Sequence, residues 1–556
     1  MGILRKLGLG AFIFYLVIAL FPVMTYAHAY IVKSTPGENQ TLSEPPSVVR
    51  IQFNEFIQPG FYSLAVMDAS GNRVDLNNAR INKENHAILE AGIKDNLPNG
   101  TYSMQWKIIS SDGHPVQGMI PFSIGQAGKE SNDLQAKTSS YFPKADIIIN
   151  RWLLYTGFAL YIGVILFNLF IYPLKSQESS KVQTRSERIM GLSLLGIAIS
   201  LLLNLPLQTT INADVTWSQA FKPSLLKETL NHTAFGPIWM VQIMIFSILG
   251  FTTYLAMKRG NLSSIKAWGA SLVFIMGLLV TKSLTSHAAG SHHEIIPVVM
   301  DFLHLLAASV WIGGLFALII LLPGSHPKTE NGEQSSVFYW RVIQRFSPWA
   351  IGAVILLLAT GIYGSVLYVP TLYSLIHTSY GRVLLGKILL FVLMLLLGAF
   401  HFKQGKKRKK QTLGWTLGLE FTIGVMVIVL ATILTNLPPA TASPGPFNQT
   451  KRVVENGYHV SLHISPNVEG ANVFMVELKD KRGQMPTNIE QVTLTFSSID
   501  IQTGENTIII PNVAPGAFQT EGMHLNMAGR WNVRVHVLTK SLDSFDTDFR
   551  VAVGSR

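Results

Sequence analysis

Eight apolar stretches, each long enough to cross a bilayer, are centred near residues 160, 197, 246, 273, 308, 357, 392 and 425, so the middle of this chain is a membrane domain. The segments between them carry unequal charge. Lys175, Lys181, Arg185 and Arg188, then Lys258, Arg259 and Lys266, then Lys328, Arg341 and Arg345, then the cluster from Lys403 to Lys410, fall in alternate loops. The other loops hold only Lys222, Lys227, Arg382 and, at the edge of a span, Lys282. Basic loops stay on the cytoplasmic side, which predicts an even number of spans with both chain ends outside. The formal charge of +12 is explained by this orientation signal and excludes nucleic acid as the partner it would otherwise suggest.

The flanks have the other periodicity. From residue 28 to about 126, short runs rich in β-branched and aromatic residues (Val48 to Phe53, Tyr62 to Met67, Thr101 to Ile109, Met119 to Ile124) alternate with turn signals. That is the pattern of a β-sandwich or barrel. A linker over 127–145 leads to the membrane domain at 146–438, and a second linker at 439–449 leads to a tail over 450–556. The tail again reads as short strands, the clearest being His459 to Ile464, Asn472 to Leu478, Val492 to Phe496 and Trp531 to Leu538. The fold class is therefore a multidomain membrane protein, an eight-helix bundle between two all-β domains. No glycine loop of the Walker type is present, which argues against a pump driven by ATP hydrolysis.

Residues 1–27 resemble a secretory signal peptide: Arg5 and Lys6, an apolar run from Leu7 to Val23, and small residues at Thr25 and Ala27. An uncleaved anchor is the alternative. Cleavage after Ala27 makes His28 the first residue, so that its α-amine and imidazole can chelate one metal ion together. Asp112 and His114 are two apart and would share one face of an extended strand. Three nitrogens and a carboxylate oxygen suit Cu(II). With no cysteine in the chain, copper must be held by His, Met, carboxylate, backbone or the α-amine. Affinity at such a site is expected to fall steeply below about pH 5 as the imidazoles protonate.

Within the spans, ionisable groups are costly and mark functional pathways. Asp301 and His304 are three apart on one helical face, with a structural hydrogen-bond pair between helices as the other reading. The loop before them carries His287, His292 and His293, either a copper-collecting cluster or a solvated polar patch. His401 lies near the inner end of the seventh span and Glu420 near the inner end of the eighth. A descending series from the outer histidines through Asp301 and His304 to Glu420 and His401 is a candidate route for metal, Cu(I) included, or protons. Met240 and Met244, four apart, read as core packing. In the tail, His459 and His463 share a strand face, with Met523, His524 and Met527 as a second group.

These residues carry a resemblance. The segments His28-Ala29-Tyr30, Ser34-Thr35-Pro36-Gly37, Phe53-Asn54-Glu55 and Gly100-Thr101-Tyr102 through Trp106 to Ser111-Asp112-Gly113-His114 are similar to the CopC family. That resemblance implies Cu(II) binding by His28, Asp112 and His114; the scattered Met67, Met104 and Met119 depart from the methionine-rich Cu(I) loop of some members. Ser286-His287-Ala288-Ala289-Gly290, Asp301 to His304 leading into Trp311-Ile312-Gly313-Gly314, Phe346-Ser347, Thr360-Gly361, Tyr380-Gly381 before Lys387, and Glu420 resemble the CopD family. Ala528-Gly529-Arg530-Trp531 resembles YtkA-like or FixH-like domains. A fusion of these parts resembles the copper-import proteins of bacilli.

The expectation is a non-enzymatic copper-handling protein of a bacterial cytoplasmic membrane, with both soluble domains extracellular. It would capture Cu(II) outside and pass copper into or across the bilayer, most naturally for import, with an extracellular copper chaperone as a candidate partner. Sequestration without import, a haem-binding redox protein and copper-dependent polysaccharide cleavage are the alternatives. Oligomeric state is not legible.

Overall fold

Among the described residues of the computed structural model, eight helices are long and apolar enough to cross a membrane. The structure describes residues 31–37, 40–53, 56–109, 115–125, 143–172, 180–258, 264–285, 295–322, 333–406, 415–453, 457–468, 470–499, 505–525 and 529–554. The eight are α1 (Ala145–Leu166, continued by a π turn over Phe167–Ile171), α2 (Ser180–Ala213), α5 (Phe235–Lys258), α6 (Ile265–Ser283), α7 (Ile295–Leu321), α8 (Glu333–Tyr368), α10 (Ser379–Lys406) and α11 (Trp415–Leu434). Three shorter helices are absent from the sequence reading: α3 (Trp217–Ala220), α4 (Pro223–His232) and α9 (Leu372–His377). They cap the bundle on the face to which both β domains attach, which follows from an even number of spans. Their sequences are too short and polar to show a clear helical period.

The bundle closes where α1 meets α7. A Cβ on Gly163 would run into the backbone of Gly313, and one on Gly313 would run into the carbonyl of Ala159. Small residues let two membrane helices approach to backbone contact, where packing replaces the absent hydrophobic drive. The Trp311-Ile312-Gly313-Gly314 run thus has a structural reason. Met240 and Met244 do not pack in the core as expected. They are 52% and 57% exposed, because the i, i+4 pair lies on the outward face of α5, where lipid accepts an apolar side chain as readily as a core does.

The first β domain pairs two four-stranded sheets. One runs β1 (Ile31–Thr35), β3 (Val48–Phe53), β6 (Ile88–Gly92), β5 (Arg80–Ile81); the other β2 (Gln40–Leu42), β8 (Pro115–Ile124), β7 (Gly100–Ile109), β4 (Ser63–Asp68). Val49, Ile51, Leu64, Val66, Met104 and Phe122 fill the space between them, as strict alternation requires. The tail is a second sandwich. Its five-stranded sheet holds, in spatial order, β14 (Asn512–Ala514), β15 (Ala517–Leu525), β11 (Gly470–Lys479), β10 (His459–Ser465) and β9 (Phe447–Arg452). Facing it are β13 (Asn506–Ile510), β12 (Ile489–Ser498), β16 (Gly529–Thr539) and β17 (Ser544–Val553). The four strands read from its sequence are central ones with clean alternation; the additional strands are mostly edges or carry polar runs.

Candidate functional site

His28, Asp112, His114, His287, His292 and His293 lie outside the described residues. The described flanks of the first three converge on one end of the sandwich. Ile31 pairs with Phe53 at the end of β3, Ile109 pairs with Pro115 across the β7–β8 hairpin, and Gln58 N–H donates to Ile109 O at 3.4 Å. Phe53 meets Trp106 edge-on across the two sheets, with ring centroids 5.1 Å apart. Phe53 and Gln58, five positions apart in sequence, therefore link the start of β1 to the root of the hairpin. This end also touches the membrane domain: Gln58 Oε1 accepts from Ala234 N–H at 2.9 Å, and Gly60 packs on His232.

Asp301 and His304 sit two to three turns into α7, and the structure surrounds them with groups that periodicity does not reveal. His304 Nδ1 is 2.9 Å from Thr360 Oγ1. Because the Thr360 hydroxyl already donates to Leu356 O at 2.7 Å, His304 Nδ1–H is the donor, which leaves the Nε2 lone pair free to accept. Lys387 Nζ stands 3.4 Å from that Nε2. Asp301 interacts electrostatically with Lys387 and Lys282, and Arg151 with Lys282. Arg151 is tied to the end of α11 by a 2.6 Å bond from Nη1 to Thr435 O. Lys282, read from sequence as a borderline loop residue, is buried in the last turn of α6. Arg151, Lys282 and Lys387 thus share the surroundings of Asp301 and His304.

A second polar level lies near the far face. His401 Nδ1 is 2.8 Å from Glu420 Oε2, with side chains 7% and 6% exposed, and His401 Nε2 is 3.0 Å from Thr416 Oγ1. The sequence places both residues near that face; their pairing follows from the packing of α10 on α11. At 1.5 Å per residue, His304 and His401 differ in depth by about 20 Å. They cannot be the two axial ligands of one haem. Among the described residues, no three His, Cys, Asp or Glu side chains converge to hold a metal ion.

The tail histidines separate. His459 and His463 occupy the same face of β10, where His463 pairs with Met475 on β11. His524 stacks on Phe496, with centroids 5.3 Å apart, and burial holds its imidazole below the ordinary histidine range. Packing against the aromatic core accounts for His524; the position of Met527 lies outside the described residues.

Residues that sequence reasoning did not single out for the site are Arg151, Lys282 and Thr416, with Lys387 and Thr360 noted only within motifs. An ionisable side chain inside an apolar run was a usable signal for Arg151 and Lys387.

Comparison with known proteins agrees with this layout. The CopC domain matches residues 31–125, the copper resistance protein D-like N-terminal domain residues 144–294, and copper resistance protein D residues 340–434. Copper resistance protein D of Pseudomonas syringae pv. tomato is 23% identical over 309 residues, 52% of this chain and 95% of that protein. Copper resistance protein C of Xanthomonas campestris pv. juglandis is 25% identical over 112 residues, 19% of this chain and 87% of that protein. Copper transport protein CutJ of Bacillus subtilis (strain 168) is 40% identical over 537 residues, 96% of this chain and 97% of that protein. With its β domain, its bundle and its tail all inside that last match, the chain belongs to the CutJ family of copper-handling membrane proteins, in which CopC and copper resistance protein D domains share one polypeptide.

Proposed function

We propose that this protein imports copper: Cu(II) is captured outside the cytoplasmic membrane by His28, Asp112 and His114, and copper then passes through the bundle toward His401 and Glu420. The observation that carries this reading is the double contact of Gln58, which joins Ile109, at the root of the ligand-bearing hairpin, to Ala234 at the start of α5. A metal held at that end of the sandwich starts its path against the membrane domain, not in bulk solvent. Tethering of this kind raises the local concentration of a ligand by orders of magnitude.

The ligand set favours capture of the oxidised ion. An amine, two imidazoles and a carboxylate are borderline-hard donors that suit Cu(II) in a tetragonal site, and each must be deprotonated to bind, which makes uptake fall with acidity. The His304 and Lys387 level follows in depth, then the His401 and Glu420 pair.

The test is cellular copper in wild-type, deletion and overexpressing cells under scarcity and under excess. Import requires less copper in the deletion under scarcity, with His28→Ala or Asp112→Ala reproducing the deficit. A deletion that holds more copper under excess and shows no deficit under scarcity would replace import with export or sequestration.

A further inference from the structure

Helix α10 turns most of its surface away from the bundle; over residues 382–404 only Met394 and His401 are buried. With Lys387 they recur every seven residues, which drifts by only about 20° per step around an α-helix and so keeps all three on one line. That line faces inward at each point. Lys387 reaches His304, as described above. Met394 is 1% exposed, and its Cε lies 3.7 Å from where a Cβ on Gly424 would stand. His401 meets Glu420, one turn from Gly424 on α11. Each step along the line is about 10 Å.

The two polar levels are separated by apolar packing, and a cation crossing it without a ligand would bear a large desolvation cost. A thioether relieves that cost without introducing a charge: it is stable in an apolar interior and is a soft donor that selects Cu(I). Gly424 on α11 lies beside the Met394 methyl group at the midpoint of the gap.

We propose that Met394 is a Cu(I)-ligating station midway along the membrane domain, between His304 on one side and His401 with Glu420 on the other. This rests on the reading that the chain conducts copper, and it concerns the ion already in its reduced state.

The test uses the full-length protein in liposomes with Ag(I), a redox-inert probe for Cu(I), together with X-ray absorption of the Ag(I)-loaded protein. Met394→Leu conserves volume and removes only the donor. It should slow Ag(I) entry at least about tenfold, leave the melting temperature unchanged, and remove a sulfur neighbour from the silver spectrum. Met394→Cys, the sole thiol in the chain, should restore entry and a sulfur neighbour. Wild-type rates and an unchanged spectrum in Met394→Leu would overturn the assignment, as would a slow Met394→Leu that melts early and is not rescued by Cys, which is the result of packing alone. If the wild-type chain moves no ion, the transport reading fails, and the absorption measurement still decides whether Met394 binds.

Discussion

His401 and Glu420 face each other across α10 and α11, Nδ1 to Oε2 at 2.8 Å, both almost wholly shielded. Removing one member of a buried pair strands the other, whereas replacing both with apolar groups avoids that penalty. Glu420→Ala should destabilise the protein by about 3–5 kcal/mol, and His401→Leu with Glu420→Leu should recover most of it. Thermal melts in detergent measure this. Copper uptake separates the two roles: if the pair also passes copper, the stable double variant remains inactive.

Lys387 holds the Nε2 face of His304 at 3.4 Å, so a metal cation entering there must displace the lysine amine. The lysine amine occupies the lone pair that a metal would need, and positive charge at this distance opposes a second cation. Lys387→Leu, which adds no donor, should therefore tighten Ag(I) binding by at least about tenfold, and His304→Ala in the same background should abolish the gain. Titration of Ag(I) into purified protein reads both. Unchanged affinity in Lys387→Leu would mean that His304 is not a metal ligand.

Acid should loosen the first β domain before the bundle. Burial alone would raise the Asp75 carboxyl, but three bonds from the Arg73 fork and the N–H groups of Val66 and Asn77 hold it below the usual carboxylate range. Glu90 is likewise pushed up by burial and held low by Asn82, Arg80 and Arg50. A carboxyl depressed in the folded state contributes stability that is full above its unfolded pKa of about 4 and lost as pH falls below it. Hydrogen exchange in β4 and β6 should show full protection at neutral pH and declining protection as the pH drops through 4 and lower. Asp75→Asn should flatten that dependence.

The spans and the two sandwiches were legible because each depends on a local pattern: long apolar runs in one case, alternation over a few residues in the other. Edge strands such as β5 and β14, and the capping helices α3, α4 and α9, were not, since their formation depends on neighbours remote in sequence. The same division holds for the candidate site. Asp301, His304, His401 and Glu420 stand out as polar groups in apolar surroundings, yet which of them meet is decided by helix packing. Lys282 looks like a loop lysine until α6 is seen to end beyond it, and Met394 looks like any membrane methionine until its seven-residue register with Lys387 and His401 is set beside Gly424.

The seating of the first β domain on the bundle can be trapped chemically. A Cβ built on Gly60 stands 3.3 Å from His232 Cβ, close to the roughly 3.5–4.5 Å that a disulfide spans, and the chain has no cysteine to interfere. Replacing His232 also breaks its 3.0 Å pair with Glu228, a solvent-exposed contact of small energetic value. Gly60→Cys with His232→Cys should form a cross-link on mild oxidation of intact membranes, read as a mobility shift reversed by reductant. Gly71→Cys with His232→Cys should not, because nothing lies within 4 Å of a Cβ at Gly71. The cross-linked protein then reports on delivery. Uptake that persists with the domain locked means copper leaves the sandwich from the docked position; uptake that stops on oxidation and returns on reduction means the domain must swing away to load or unload. If the first pair fails to cross-link, Gln58 does not bring the hairpin root to α5 in the membrane, and the import reading loses the observation that carries it.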